Sequence, residues 1–449
     1  MIVAASAVTD PVEALHRLAV GERPFFLDGS SDADGLGRCS FAGCDPAGQM
    51  LWSLGDRGDP YALLEGAAQE VALVPAAGPW PQWIGFVTYD VGAHLLAQRC
   101  GRVLPNSVVA PSLGVDFARY PAVLRWDHRS GRAEIVADDH ASLERLAARL
   151  AAAPPEPVDP PLATLMWQLE KADYCRRAQR VIDYLVAGDL YQANLSQRLV
   201  CEFDEADSLG LFVRLREQSP APLGFFLRGR DRTILGNSPE LLLRIRGNQI
   251  ETRPIKGTCA RDGDGGRDQQ LGQALKRSEK DCAEHLMIVD LERNDLGRVA
   301  ETGSVSVQGF ARVVTLPTVH HLVSTVQARL RDGVGLREVL AATFPGGSIT
   351  GAPKLRAIEI IDELEASPRG VYCGALGWIG SDGGERAVDF ALPIRTASVQ
   401  HGQLVLPVGG GIVADSTPES EWQETRTKAA AFVRALSAAD VAVAVDSKS

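Results

Sequence analysis

The chain has 449 residues, of which 45% are hydrophobic, and its formal net charge is −11. A chain of this length can bury a large core, which predicts one large α/β enzyme domain or two closely associated ones. Lysines and arginines are dispersed without a basic run, and no apolar run is long enough to span a bilayer. We therefore expect a small molecule or a protein as the partner, and neither nucleic acid nor a membrane.

Eight cysteines are scattered along the sequence, with no Cys-x-x-Cys pair and no cysteine–histidine cluster. This spacing indicates neither a zinc site nor a disulfide framework, so reduced thiols are expected. The first ten residues lack the basic segment and apolar core of a signal peptide. Together these features predict a soluble protein of the cytoplasm.

The first part of the chain mixes short β-like runs with Gly and Asp turns. Its predicted strands are Pro24–Asp28, Gly37–Gly43 and Trp83–Tyr89. A helix is predicted from Ala141 to Ala153, and the proline-rich segment Pro154–Pro161 cannot continue it. We therefore divide the sequence into an N-terminal region 1–153, a second region 163–437 and a tail 438–449.

The second region alternates predicted helices and strands. A helix from Ala172 to Ala187 ends at Gly188, which is typical of a left-handed cap, and the strand Tyr191–Ser196 follows. Three more helices are predicted at Ser278–Asp290, Pro353–Leu364 and Pro418–Leu436. Further strands are predicted at Ala375–Ile379, Val388–Thr396 and Leu404–Val408.

The segment Pro254–Thr258 places Lys256 in a glycine-flanked turn within an apolar, β-like neighbourhood. One interpretation is a surface turn with a solvated cation. The other is a lysine nucleophile. The sequence has no Ser-His-Asp elbow, dinucleotide fingerprint or amidotransferase-type cysteine nucleophile, so covalent chemistry would depend on Lys256.

Two predicted helices each carry a pair of carboxylates at i, i+3, which places both on one face: Asp281 with Glu284, and Glu421 with Glu424. If the two faces were opposed, they would form an all-oxygen site suited to Mg²⁺. The alternative is two solvated acidic faces. Lys428, four residues after Glu424, fits that alternative as a surface pair.

Two glycine-rich segments are candidates for binding a ligand through the backbone. The loop 346–353 leads into a helix with Pro353 at its first position, and the free N–H groups of such a terminus bind anions. It lacks the Gly-Lys-Ser/Thr ending of a P-loop, so a carboxylate fits better than a nucleotide. Gly409–Gly411, after a predicted strand, would either let the backbone approach a ligand or form a plain flexible turn.

Arg395 and the His320–His321 pair are the remaining candidates. Arg395 lies in the apolar segment Leu392–Thr396, where an unpaired guanidinium would be costly, so we expect it to meet a carboxylate of the protein or of a ligand. One histidine of the pair would act as a proton donor or have a structural role only.

Together these strings resemble the chorismate-utilising enzymes. The match is dense from Tyr174 to Lys428 and looser over residues 1–150. The stretches that carry it are Tyr191–Gln197, Ser238–Glu240, Pro254–Thr258, Ile288–Asp295, Phe344–Lys354 and Gly409–Ser416. The resemblance implies an α/β fold in which two large, mainly antiparallel β-sheets pack as a sandwich with helices outside and the chorismate site lies in a deep cleft.

The resemblance also implies roles for single residues. Glu284 and Glu424 would ligate Mg²⁺, with Asp281 and Glu421 as neighbouring acids. Glu240 would be the acid/base at the departing C4 hydroxyl, and His321 a second proton-transfer residue. The substrate would be bound by Arg395, Tyr372, Ser348, Lys428, Gln192 and the backbone of Gly409, Gly410 and Gly411.

Two positions distinguish branches of the family. Isochorismate and salicylate synthases carry a water-activating lysine where this chain has Gln192, which disfavours addition of water. Anthranilate synthases usually have alanine where this chain has Lys256. A lysine there is the mark of the aminodeoxychorismate synthases of para-aminobenzoate and folate biosynthesis, which aminate chorismate at C4 with ammonia from a separate glutamine amidotransferase subunit.

Two alternatives stay open at the level of sequence. The first is an anthranilate synthase component I, which aminates C2 and releases pyruvate, with Lys256 acting only as a hydrogen-bond donor. The second is a non-catalytic regulatory subunit that binds chorismate or tryptophan.

Overall fold

A computed structural model of the chain describes residues 2–29, 31, 35–74, 78–104, 112–155 and 159–437. The strands are β1 (Ile2–Ala5), β2 (Phe25–Asp28), β3 (Cys39–Gly43), β4 (Gly48–Ser53), β5 (Trp80–Val87), β6 (Leu113–Arg119), β7 (Ala122–Asp127), β8 (Arg132–Ala137), β9 (Met166–Trp167), β10 (Gln192–Glu202), β11 (Leu223–Arg228), β12 (Thr233–Ser238), β13 (Leu241–Arg246), β14 (Gln249–Arg253), β15 (Ile255–Ala260), β16 (Ser306–Thr315), β17 (Val319–Arg329), β18 (Gly351–Ala352), β19 (Ala375–Asp382), β20 (Glu385–Ala391), β21 (Thr396–Gln400) and β22 (Gln403–Ile412). The helices are α1 (Pro11–Leu18), α2 (Pro60–Gln69), α3 (Tyr89–Arg99), α4 (His140–Ala151), α5 (Lys171–Val186), α6 (Ser208–Gln218), α7 (Gly265–Arg277), α8 (Glu279–Gly297), α9 (Leu336–Thr343), α10 (Lys354–Leu364) and α11 (Pro418–Leu436).

The strands form two large antiparallel sheets, as the sequence predicted. Within the described residues, the first sheet has 12 strands in the order β1-β8-β7-β3-β2-β11-β12-β21-β22-β10-β18, with β9 beside β10. The second has 10 strands in the order β15-β17-β14-β13-β20-β19-β5-β6-β4, with β16 beside β17. Both sheets draw strands from the N-terminal region and from the second region, so the two regions are interleaved.

A shared apolar core holds the two sheets face to face. Phe41 of the first sheet meets Trp378 of the second with ring centroids 5.9 Å apart in an edge-to-face contact, which contributes about 1 kcal/mol beyond the buried area. Phe25 and Phe225 from the first sheet and Ile84 and Phe86 from the second belong to the same buried cluster. Two further cores lie beneath the helices on the outer faces.

Several helix bounds follow from local signals. Helix α11 begins at Pro418 and ends at Leu436 as predicted, and the Thr417 hydroxyl accepts from the Ser420 N–H at its N-cap. Helix α5 ends at Val186, and Gly188 is left-handed (φ +83°) as predicted. Helix α8 extends to Gly297, beyond its predicted end. Pro353 is the N-cap of α10 and not its first helical residue.

Two strand predictions were wrong. The predicted strand Val388–Thr396 is broken: β20 ends at Ala391, β21 begins at Thr396, and Arg395 lies between them with φ +51°. Gly409–Gly411 do not follow a strand but belong to β22, where they pair with β10. In both cases the decisive contacts come from strands that are distant in sequence.

Three parts of the sequence for which predictions were made lie outside the described residues: the tail 438–449, residues 156–158 of the connector and residues 105–111.

All eight cysteines are free thiols. Within the ranges given above, no helix is long and apolar enough to cross a membrane.

Candidate active site

Lys256 lies on a bulged strand and not in the turn that the sequence predicted. The pairing of β15 with β17 shifts register between Ile255 and Thr258, and Gly257 takes φ +83°, which a residue with a side chain rarely adopts. The bulge directs Lys256 inward, so its side chain is only 15% exposed and its Nζ lies 3.4 Å from Glu284 Oε2 on α8. A solvated surface lysine is therefore excluded.

The ends of the Lys256 and Gln192 side chains both lie over the backbone of Gly411. A methyl group built on Gly411 would lie 2.6 Å from Lys256 Nζ and 3.0 Å from Gln192 Nε2. Gln192 is fully buried, and neither end of its amide has a hydrogen-bond partner within the described chain. Because an unsatisfied buried amide is costly, this position is suited to a polar ligand.

The glycine segment of β22 forms the floor of this cleft. In the antiparallel pairing with β10, Gly411 lies opposite Asn194, Gly410 opposite Leu195 and Gly409 opposite Ser196. A methyl group on Gly410 would lie 3.0 Å from Glu424 Oε1 and 3.1 Å from Glu421 Oε2. The three glycines therefore place bare backbone beneath two carboxylates.

Glu240 lies at the end of β12, where Ser348 of the glycine-rich loop donates a hydrogen bond of 2.6 Å to its Oε1. Burial raises the pKa of Glu240 to about 7, against the opposing effects of the Ser348 hydrogen bond and the positive charge of Lys256. A carboxyl group with this pKa can give and take a proton near neutral pH, which suits an acid/base role.

Arg395 is held beside Glu240 by the backbone. Its carbonyl accepts from the Asn237 N–H at 3.2 Å, and the Ser238 hydroxyl donates to the Leu392 carbonyl at 2.6 Å. Burial lowers the pKa of Arg395, while Glu240 raises it. Within the described residues no carboxylate forms a salt bridge with the Arg395 guanidinium, which leaves it available to a ligand's carboxylate.

His321 pairs with β15 opposite Thr258, whose Oγ1 lies 2.7 Å from His321 Nδ1. Burial, with a smaller contribution from Arg395, lowers the pKa of His321 to about 3. The imidazole is therefore neutral at physiological pH, and the predicted role of His321 in proton transfer stays a prediction. Its Nε2 is buried and has no partner in the described structure.

Tyr372 packs in a buried cluster with Ile349, Leu392 and Ile394, behind the loop that carries Ser348 and the turn that carries Arg395. Burial raises the pKa of its hydroxyl well above the ordinary value. Tyr372 is thus an uncharged side chain that packs against both of these elements, and its predicted role in substrate binding stays a prediction.

The four acidic residues predicted on two helix faces do converge on the cleft. Asp281 Oδ1 lies 3.2 Å from the position of a methyl group on Gly257, beside the Lys256 bulge. Glu421 is buried, its Oε2 has no partner in the described structure, and burial raises its pKa. Burial also acts to raise the pKa of Glu424, but Lys428, Lys256 and Lys280 outweigh it and lower that pKa.

These carboxylates fit a hard divalent cation that keeps waters and shares oxygens of a substrate. Over the described residues, no three Asp, Glu, His or Cys side chains are gathered closely enough to hold a metal on their own. Glu284 on one wall and Glu424 on the other are the side chains that would hold the ion, and Glu421 offers an unpartnered oxygen beside Glu424.

Lys428 lies at the rim of the cleft. Its Nζ donates to the Gly409 carbonyl at 2.8 Å and forms a salt bridge of 2.6 Å with Glu424 Oε1. The i, i+4 pair that the sequence suggested as a surface feature therefore exists, and it borders the site.

Sequence reasoning missed a buried arginine that fixes the geometry of the site. Arg369 donates to the Ile349 carbonyl at 2.8 Å and to the Asn194 carbonyl at 3.0 Å, and pairs with Glu365 at 2.7 Å. It thereby ties the glycine-rich loop to β10. Glu365 and Arg369 lie beyond the end of α10, so no helical periodicity in the sequence indicated this pair.

Most of this chain is similar in sequence to known proteins. Residues 29–434 match the family described as chorismate binding enzyme. Aminodeoxychorismate synthase component 1 of Salmonella typhimurium is 40% identical over 383 residues, which are 82% of this chain and 81% of that protein. Anthranilate synthase component 1 of Streptomyces coelicolor is 38% identical over 455 residues, which are 96% and 87% of the two chains.

Solved structures show the same fold. Anthranilate synthase component I from Streptococcus pneumoniae has a TM-score of 0.77 and 29% identity, covering 88% of this chain and 92% of that one. The menaquinone-specific isochorismate synthase MenF of Escherichia coli has a TM-score of 0.74 at 20% identity, covering 97% and 94%. The chain therefore belongs to the family of chorismate-binding enzymes.

Proposed function

We propose that the chain is the large subunit of an aminodeoxychorismate synthase, which converts chorismate and ammonia to 4-amino-4-deoxychorismate and water. The observation that carries the proposal is the position of Lys256, whose Nζ lies over Gly411 beside the unpartnered amide of Gln192. A lysine aimed at this point is placed to act on a substrate lying on β22. The relative named aminodeoxychorismate synthase, at 40% identity, supports the same activity.

Chorismate would be bound by the groups that line the cleft. The Arg395 guanidinium would take one substrate carboxylate, while the Gly409–Gly411 backbone, Gln192 and Ser348 would line the ring. His321, as a neutral imidazole, would offer its free Nε2 for a hydrogen bond. Lys428 at the rim would add a positive charge for a doubly anionic substrate.

The reaction would then run in two displacements. The Lys256 ammonium would first lose a proton to solvent. Its amine would then add to C2 as the C4 hydroxyl leaves, and protonated Glu240 would give its proton so that the hydroxyl departs as water. Ammonia would add to C4 as the C2–Nζ bond breaks, and the new ammonium would return a proton to Glu240. Two easier steps would thus replace one difficult displacement.

Mg²⁺ held by Glu284 and Glu424 would neutralise a carboxylate of the substrate. Ammonia would come from glutamine through a separate amidotransferase subunit, because this sequence has no glutaminase motif. The free thiols fit a reaction in the cytoplasm.

The test is product identification. The purified chain would be incubated with chorismate, Mg²⁺ and ammonium at mildly alkaline pH, with and without an added aminodeoxychorismate lyase. The expected result is para-aminobenzoate that appears only with the lyase. Anthranilate formed without the lyase would contradict C4 amination.

Anthranilate synthase is the second candidate, because the relative of that name matches 96% of this chain. In that case the Lys256 ammonium would act as a hydrogen-bond donor only. The same incubation would then yield anthranilate and pyruvate.

A further inference from the structure

Each carboxylate suited to hold the cation is already paired with a lysine of its own helix. On α8, Lys280 Nζ lies 4.0 Å from Glu284 Oε1, one turn before it. On α11, Lys428 Nζ lies 2.6 Å from Glu424 Oε1, one turn after it. The two pairs stand on opposite walls of one cleft.

Lys256 supplies a third positive charge between the two walls. Its Nζ lies 3.4 Å from Glu284 Oε2, so this carboxylate has a lysine at each oxygen. Glu424 is paired with Lys428 of its own helix, and the charges of Lys256 and Lys280 also act on it. Three lysine side chains are therefore grouped around the two carboxylates that would hold the cation.

We propose that Lys256, Lys280 and Lys428 are stand-in counter-ions for the divalent cation, so that metal binding is an exchange which frees Lys256 from Glu284. This inference rests on the proposed function, since the cation and the role of Lys256 come from it. Lys280 becomes a positioning residue that acts through Glu284. The exchange keeps Lys256 bound to a carboxylate until the cation has arrived, which couples the nucleophile to a loaded site.

The test is the affinity of the enzyme for Mn²⁺ in the absence of chorismate and ammonia, measured by the electron paramagnetic resonance signal of the free ion. Removing a positive charge a few ångströms from a divalent cation should tighten binding roughly three- to tenfold. Lys280→Gln is expected to lower the dissociation constant by this factor. Lys256→Gln is expected to do the same even though amination is lost.

The matched control is Lys171→Gln. Lys171 forms a salt bridge of 2.7 Å with Glu419, which is also on α11 but lies on the surface. Its removal should leave Mn²⁺ affinity unchanged. Unchanged or weaker binding in Lys280→Gln and Lys256→Gln overturns the proposal, as does the absence of Mn²⁺ binding by the wild type.

Because no substrate is present, the result does not depend on which product the enzyme makes. A chain that forms anthranilate but shows tighter Mn²⁺ binding in both variants would contradict the proposed function and support the exchange. Lys280 is 62% exposed, so its substitution should not impair folding.

Discussion

At the scale of single residues, the cleft contains buried polar groups whose environment is unfavourable for folding stability. Glu240 is buried with its carboxyl pKa raised, and Gln192 is buried without partners. Perturbed and unsatisfied groups of this kind cluster at functional sites. Because such groups are unfavourably placed, substituting them should change folding stability or activity by a measurable amount.

Glu240→Gln should separate stability from activity. Because folding raises the pKa of Glu240 from 4.5 to about 7, the native state favours its protonated form. The stability this gives is complete below pH 4.5 and is lost as pH rises through about 7. The glutamine variant should therefore unfold with similar free energy to wild type at pH 4.5, and at pH 8 be more stable by about 3 kcal/mol.

Denaturant unfolding of both proteins at the two pH values checks this expectation. Chorismate amination by the variant should be lost at both. An equal difference in stability at the two pH values would show that Glu240 is not a buried, ionisable group.

Ser348→Ala should shift the pH profile of the reaction. The Ser348 hydroxyl stabilises the Glu240 carboxylate, so its removal should raise the pKa of Glu240 further. Since protonated Glu240 is the proposed acid, the alkaline limb of kcat/KM for chorismate should move to higher pH, with free ammonia held constant. The control is Ser416→Ala, which removes a hydroxyl that acts on Glu421 and should leave the alkaline limb in place. A shift of that limb to lower pH in Ser348→Ala would contradict the assignment of Glu240 as the acid.

At the scale of elements, β22 provides both sheet pairing and the floor of the site. A methyl group on Gly411 would meet the ends of Lys256 and Gln192, whereas one on Gly409 would lie 2.6 Å from the backbone carbonyl of Leu195. Gly411→Ala should lower kcat/KM on the order of 100-fold by displacing the lysine, with little change in stability. Gly409→Ala should destabilise the fold by about 1–3 kcal/mol because backbone cannot move aside.

Both variants should be measured by denaturant unfolding and by steady-state kinetics, so that each variant is the control for the other. If Gly411→Ala retained full activity, Lys256 Nζ would not need its position over β22.

Local signals account for what sequence could predict at this scale. Thr417 and Pro418 fix the start of α11, and Gly188 follows the end of α5, because caps involve neighbours in the chain. The bulge at Lys256 and the break at Arg395 depend on pairing with strands far away in sequence, so they were predicted as a turn and as a strand. The roles of the site residues stay predictions, and only the fold shows that these residues lie at one cleft.

At the scale of the whole molecule, the proline-rich connector separates two regions of the sequence, but both regions contribute strands to each sheet. Strand β2 lies between β3 and β11, and β5 lies between β6 and β19. A fragment spanning residues 163–449 would therefore expose the edges and inner faces of both sheets. It should show no cooperative thermal unfolding alone, and should co-purify with residues 1–153 when the two are expressed together; cooperative unfolding of the isolated fragment would contradict the interleaved core.

The most direct test of the central claim, that Lys256 is the nucleophile of a C4 amination, is the intact mass of the enzyme quenched after mixing with chorismate and Mg²⁺ without ammonia. The first displacement can then occur and the second cannot, so a mass increase of chorismate less one water is expected. Peptide mapping should place it on Lys256, and Lys256→Ala should show neither the adduct nor amination. An unmodified enzyme, together with amination by Lys256→Ala once ammonia is added, would contradict the claim.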